Sequence, residues 1–194
     1  MKKLLLSAVL VATLGAVAVA NAATPVSSGT ITVAGKIVTS TCAVTANGSQ
    51  NPTITLPTLD TNALPAGASA GWTALTFAVT GCSAVSNLTS NTVSTYFSST
   101  NVDPTTGYLK NTTTTGGSNV QVVLSNSQSA VVGANNALAL NAAAGLQFAQ
   151  TAALPTTGSS GTATFNYYVG YVAGTSAATA GLVNTTVQYA LSYQ

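Results

Sequence analysis

Apolar residues recur at every second position in three separated runs of this chain. They are Ile31, Val33 and Ile37 with Gly35 in the same row; Phe165, Tyr167, Val169 and Tyr171; and Val187, Tyr189, Leu191 and Tyr193. A period of two puts alternate side chains on one face of an extended strand and cannot form a stripe on a helix of 3.6 residues per turn. Each run is therefore predicted to be a half-buried strand. The intervening chain, rich in Thr, Ser, Val, Gly and Asn, favours strands and turns over helices. The fold class expected is all-β.

Further strands are expected around 54–56, 72–80, 92–98, 120–124 and 137–148. Turn-forming stretches separate them: Asn47-Gly48, Asp103-Pro104, Gly116-Gly117 and 158–161. Within 134–144 the alanines would suit a helix, but Asn135, Asn136 and Asn141 oppose one, so strand or loop is expected there. Short strands at this spacing suggest a sandwich. No linker divides the chain and no repeat is visible, and 111–115 reads as an exposed loop. Sequons at Asn47, Asn87, Asn111 and Asn184 are what chance gives in a sequence with this much Asn, Ser and Thr.

Charge narrows the functions open to the chain. Only 3% of the 194 residues are charged, and there is no His. Lys2 and Lys3 open an N-terminal segment that looks removable, leaving Lys36, Lys110, Asp60 and Asp103. A general acid–base pair near neutral pH needs His, Glu, Asp or Lys held close together. No catalytic, metal-binding or cofactor-binding residues are assigned, and an enzyme is not expected. Nucleic acid and anionic lipid are excluded as partners, because both are held by clustered Lys and Arg.

Residues 1–22 read as a secretory signal: a basic start, an apolar stretch over 4–14, and Ala20-Asn21-Ala22 as the cleavage pattern. The apolar run is broken by Ser7, Thr13 and Gly15 and is too short for a comfortable membrane span. Direct membrane insertion is not expected. Export implies an oxidising compartment, where the two cysteines, Cys42 and Cys82, are read as one disulfide. The alternative is a pair of buried thiols. Two thiolates with no His or further Cys do not complete a zinc site.

Both ends of the exported part are strand-like: GTITVAGKIV over 29–38 and VQYALSYQ at the terminus. Together with Cys42-Ala43-Val44, Gly81-Cys82 and FNYYVGYVAG over 165–174, they make the chain resemble the pilins of the chaperone-usher route, above all the major subunits of type 1 fimbriae. The resemblance covers essentially all of 23–194. Two departures are a surface with fewer Asp, Glu and Lys than the family usually carries and a long Thr-rich stretch over 86–117.

The resemblance implies an immunoglobulin-like sandwich lacking its last strand, completed by the N-terminal arm of a neighbouring subunit. It divides the chain into a signal peptide (1–22), a donor-strand arm (23–37) and a pilin domain (38–194). The arm would present Gly29, Ile31, Val33, Gly35 and Ile37, and the groove edge, also the chaperone contact, would carry Val187, Tyr189, Leu191 and Tyr193. The implied partners are identical or related pilin subunits, a periplasmic chaperone and an outer-membrane usher. The implied destination is a cell-surface fimbria reached through the periplasm, supporting cell adhesion.

Read from the residues alone, an arm with alternate apolar side chains can add to a sheet edge and fill pockets with every second residue. Three such side chains would give about 5 to 9 kcal/mol before association costs. Gly35 marks either a place where the groove floor comes close or a bend in an ordinary first strand. The terminal row could equally be core of a complete sandwich. The competing function is a secreted carbohydrate-binding module whose aromatic platform would be Trp72, Tyr108, Tyr167, Tyr168 and Tyr171.

Overall fold

The structure is a computed structural model and describes residues 30–39, 41–86, 88, 90–129, 136–155 and 160–194. The expected signal peptide, residues 23–29 with Gly29, and the sequon at Asn87 lie outside the described residues. By internal contacts the chain divides into 1–36 and 37–194. Within the first unit the described residues, 30–36, form no strand and are exposed.

The second unit is all-β. Its strands are β1 (Ala43–Ala46), β2 (Ser69–Cys82), β3 (Thr92–Ser98), β4 (Leu109–Lys110), β5 (Gln121–Ser125), β6 (Thr151–Ala153), β7 (Gly161–Val172) and β8 (Gln188–Tyr193). A five-stranded sheet runs in the order β1-β2-β7-β5-β4, and a three-stranded sheet in the order β6-β3-β8. All pairs are antiparallel.

Alternation sets which face of each strand is inside. On β2, Leu75, Phe77 and Val79 are buried while Ala74, Ala78 and Thr80 are exposed; on β7, Phe165, Tyr167 and Val169 point inward. Four rings lock the sheets together edge to face. Phe77 on β2 meets Phe97 on β3 at 5.6 Å, Tyr167 on β7 at 5.8 Å and Tyr189 on β8 at 4.9 Å between centroids. Where β2 crosses the sheet it bulges between Ala70 and Thr73. Gly71 sits in that bulge at φ +73°, and a Cβ there would come within 2.8 Å of the Tyr171 ring. A disulfide joins Cys42, just before β1, to Cys82 at the end of β2.

Several expectations are corrected. Residues 54–56 run beside the core but join no ladder, and 137–148 is mainly turns, touching β5 through a single bridge from Ala137 to Ser125. Its prolonged apolar character comes from Leu138 and Leu140, which plug the core from a loop. The short strands β1, β4 and β6 have too few residues to show a period. The run holding Ile31, Val33 and Ile37 has no strand partner among the described residues, and those side chains are 89%, 89% and 100% exposed.

Candidate functional site: an open cleft beside the terminal strand

β8 is an edge strand with β3 as its neighbour on one side only. Thr92 and Gln194 exchange both backbone hydrogen bonds, at 3.0 Å each. Antiparallel alternation then points the backbone groups of Ser192, Ala190 and Gln188 toward β3 and those of Leu191 and Tyr189 toward the open side.

The segment before β8 continues this pattern. Its even-numbered residues are tied down on the closed side. Leu182 donates to the Gly116 carbonyl at 2.8 Å, the Asn184 carbonyl accepts from Thr112 N–H at 2.7 Å, and the Thr186 carbonyl accepts from Ser99 Oγ at 2.7 Å. Asn111 adds to the anchorage, accepting from Asn184 N–H at 2.9 Å. No backbone hydrogen bond reaches Val183, Thr185 or Val187 from any described residue. Their side chains are half-buried, alternating with exposed neighbours.

The opposite rim is residues 50–59. After the Asn47-Gly48 turn the chain runs past β8 in the opposite direction, tethered where Tyr189 donates its hydroxyl to the Gln50 carbonyl at 2.7 Å. Pro52, Ile54 and Leu56 are half-buried between exposed neighbours, the signature of a strand, yet no backbone hydrogen bond joins 52–59 to another described residue. Two strand-like rims thus face each other without pairing.

Between them lie three adjoining hollows of about 730, 570 and 530 Å³. The first, at the Gln50 end, reaches Phe77, Phe97 and Tyr189. Leu75, Leu109, Val122, Leu124 and Val169 floor the second, and the third, at the Asp60 end, is walled by Leu59, Leu64, Val120 and Val183. Ile54, Leu75 and Val187 border the first two, Tyr171 and Val183 the last two, so the hollows form one cleft. Its floor is the core itself. The Thr185 hydroxyl, which lines the cleft, is buried and has no hydrogen-bond partner among the described residues.

An apolar trough with a row of backbone groups left unpaired among the described residues along one wall can accept an extended polypeptide. Of the sequence-expected edge residues, Val187 and Tyr189 line the cleft, while Leu191 and Tyr193 continue the same half-buried row beyond it. Sequence reasoning missed Val183 and Thr185 and the whole opposite rim. Val183 and Thr185 extend the terminal alternation upstream, a signal visible in the sequence; the rim carried none beyond three apolar residues at 52, 54 and 56.

The five aromatic residues of the carbohydrate reading do not lie together on one face. Tyr167 is buried in the core at 1% exposure, and Tyr171 points inward beside the cleft. Trp72 packs with Tyr108, Val123 and Val172 in a separate cluster, lying against Gly170. Tyr108 is itself buried.

Residues 56–194 match the family model described as FimA, type-1 fimbrial protein A. The F17 fimbrial protein of Escherichia coli is 38% identical over 179 residues, covering 91% of this chain and 93% of the relative. The major fimbrial subunit SMF-1 of Stenotrophomonas maltophilia is 39% identical over 178 residues, covering 90% and 95%. Among solved structures, the fold is similar to the P pilus rod subunit PapA, with TM-score 0.50 and 18% identity over 79% of this chain and 99% of that one. It is similar as well to a chain from a chaperone-usher pilus, with TM-score 0.50 and 18% identity over 88% and 98%. An all-β sandwich with an open edge, matched by the family model over most of its length and by two full-length fimbrial relatives, belongs to the type-1 fimbrial proteins, the structural subunits of surface pili.

Proposed function

We propose that this subunit polymerises by donor-strand exchange, with the cleft of one copy accepting the arm of the next. The arm is residues 23–37, presenting Gly29, Ile31, Val33, Gly35 and Ile37, and the pilin domain is 38–194. One observation carries the reading. The chain exposes a row of alternating apolar side chains, Ile31, Val33 and Ile37, and also leaves open an apolar cleft whose wall is a row of unpaired backbone groups. Each is costly in water, and each is what the other lacks. Filling the trough with three such side chains contributes about 5 to 9 kcal/mol before association costs, and the backbone pairs fix the register.

A bare cleft would aggregate before assembly. A periplasmic chaperone lending a strand along Val187, Tyr189, Leu191 and Tyr193, followed by an outer-membrane usher, meets that need, and both are partners in this reading. Export through the periplasm, with 1–22 removed, supplies the oxidising step for the disulfide. No catalysis is asked of the chain: its sequence has no His, Arg or Glu. Adhesion is the task of the assembled fibre.

Strand-added multimers should resist detergent until heated, because backbone pairing and cleft burial must be lost together. The test is a gel of unheated, surface-sheared protein from cells carrying the assembly machinery. A ladder that collapses on heating, and vanishes when residues 23–34 are deleted, is the expected result. A monomer at every concentration would overturn the reading.

A further inference from the structure

We propose that Asn111 is a positioning residue for the cleft: its side-chain amide stands in for a neighbouring strand behind Val183 and so turns that residue's backbone N–H and carbonyl toward the open side. The inference rests on the reading of the cleft as acceptor for an extended strand, and it names the residue that shapes the upstream half of the accepting wall.

A planar side-chain amide can make four hydrogen bonds, two through its N–H groups and two at its oxygen. Asn111 makes all four. Two stay within its own loop, which follows β4: Oδ1 accepts from Thr113 N–H at 3.0 Å, and Nδ2 donates to the Ser118 carbonyl at 2.9 Å. The other two cross to the wall, where Nδ2 donates to the Leu182 carbonyl at 2.8 Å and Oδ1 accepts from Asn184 N–H at 2.9 Å. Gly117 leaves the amide its place, since a Cβ there would lie 3.2 Å from Nδ2 and run into the Thr113 carbonyl.

The two wall bonds have the form of a sheet pairing. A residue of a parallel strand donates to the carbonyl just before the residue it faces and accepts from the N–H just after it. Asn111 does both around Val183, with side-chain atoms. The backbone of its loop flanks this contact on either side: Gly117 pairs with Leu182 in a parallel bridge, and Thr112 N–H reaches the Asn184 carbonyl at 2.7 Å. In extended chain the groups flanking a residue point one way and its own groups the other. With the Leu182 carbonyl and Asn184 N–H held on the closed side, the N–H and carbonyl of Val183 face the cleft that this residue borders. Residues 183–187 join no strand ladder, so their orientation rests on such anchors.

Asn119 supplies the control. It makes matching bonds upstream of Val183, accepting from Thr179 N–H at 2.8 Å and donating to the Ala177 carbonyl at 3.0 Å. The test uses residues 23–194 as a dilute monomer and a synthetic peptide of residues 23–38 as the strand offered to the cleft. Peptide uptake and hydrogen exchange of the wall are followed in wild type, Asn111→Asp, Asn111→Ala and Asn119→Asp. Asn111→Asp keeps the shape and the acceptors and loses both donors. Uptake should fall about tenfold in either Asn111 variant, as one hydrogen bond contributes, and less than about twofold in Asn119→Asp. Bound peptide should protect the N–H groups of Val183 and Thr185 together with those of Tyr189 and Leu191 in the wild type. The Asn111 variants should lose the first pair of protections and keep the second, a division that a role in the fold at large would not produce. Unchanged uptake and protection in both variants would refute the role of Asn111 and leave the acceptor reading standing. Loss at all four positions, in step with lower unfolding stability, would refute it too. Peptide that protects neither pair in the wild type would overturn the acceptor reading and this inference with it. Should neither variant fold, the wild type decides: the Asn111 side-chain N–H groups should exchange at least about tenfold more slowly than those of exposed Asn51, and equal rates would refute the bonds.

Discussion

Gln147 pairs with Phe97 as a neighbouring strand would: its Oε1 accepts from the Phe97 N–H at 2.9 Å and its Nε2 donates to the Phe97 carbonyl at 2.7 Å. β6 covers β3 only over residues 92–94, so the backbone of Phe97 lies past the end of its neighbour. Three residues on, Gln150 does the same for Asn166 of β7, beyond the reach of β5, with bonds of 3.0 and 2.7 Å. One short segment thus caps an exposed stretch in each sheet. The edge of β8 over Tyr189 and Leu191 has no such cap among the described residues.

Replacing Gln147 with Leu should therefore be costly. The side chain is buried, and its loss orphans the N–H and carbonyl of Phe97 at about 1 to 3 kcal/mol per group. Denaturant unfolding of the subunit should show a loss of roughly 2 to 6 kcal/mol for Gln147→Leu. Gln150→Leu, at a half-buried position, should cost about 1 kcal/mol. Equal effects at the two positions would contradict the capping role assigned to Gln147.

Stability should be flat across neutral pH and fall at the alkaline end. Burial raises the hydroxyl pKa of Tyr167, with bonds from Thr95 and Gln150 acting the other way, and burial also raises those of Tyr108, Tyr171 and Tyr189. A raised folded-state value means the stabilisation is complete below the unfolded value near 10 and is lost as pH climbs toward the folded one. Asp103 behaves oppositely. Its value is lowered chiefly by the Thr105 N–H, so its contribution is present above 3.8 and lost as pH falls through the folded value. The sequence has no His, the side chain whose ordinary value falls between these limits. Melting temperatures from pH 5 to 9 should coincide, Tyr167→Phe should shrink the alkaline loss, and Asp103→Asn should shrink the acid one.

The disulfide ties the start of β1 to the end of β2, closing a loop whose constraint on the unfolded chain is worth roughly 4 kcal/mol. Cys42→Ser should lower unfolding stability by about that amount and leave Cys82 open to alkylation once the chain opens. Native mass spectrometry finding two free thiols in the wild type would contradict the pairing.

Legibility from sequence followed length. β3 spans the expected 92–98, and β2, β7 and β8 were legible because long strands with one buried face print their period directly. At two to four residues, β1, β4 and β6 owe their existence to tertiary pairing and leave no such trace. The cleft was half legible. Val187 and Tyr189 belong to a plain alternating run, but Pro52, Ile54 and Leu56 form a rim only because the chain turns at Asn47-Gly48 and is held alongside β8 by Tyr189. The amide caps could not be foreseen, since Gln147 lies within 137–148, for which a strand of its own is expected, and nothing in the sequence marks Gln150.

Gly35 separates a donor arm from an ordinary first strand. In a self-contained sandwich, a glycine within the row Ile31, Val33, Ile37 would lie against the chain's own core, and a larger residue would destabilise the monomer. Among the described residues a Cβ at position 35 meets nothing within 4 Å. Gly35→Leu should accordingly leave the unfolding of the isolated subunit unchanged within about 0.5 kcal/mol, the usual span for a surface change. In the polymer, on the donor-arm reading, the same side chain would be driven against the cleft floor of the next copy. Multimers should then be lost while monomer stability is kept. A graded series, Gly35→Ala, Gly35→Val and Gly35→Leu, should weaken assembly in order of volume. Monomer unfolding and multimer yield measured on the same three variants decide the matter: stability falling in step with assembly would mean that Gly35 serves the subunit's own fold, and the donor-arm reading would fail.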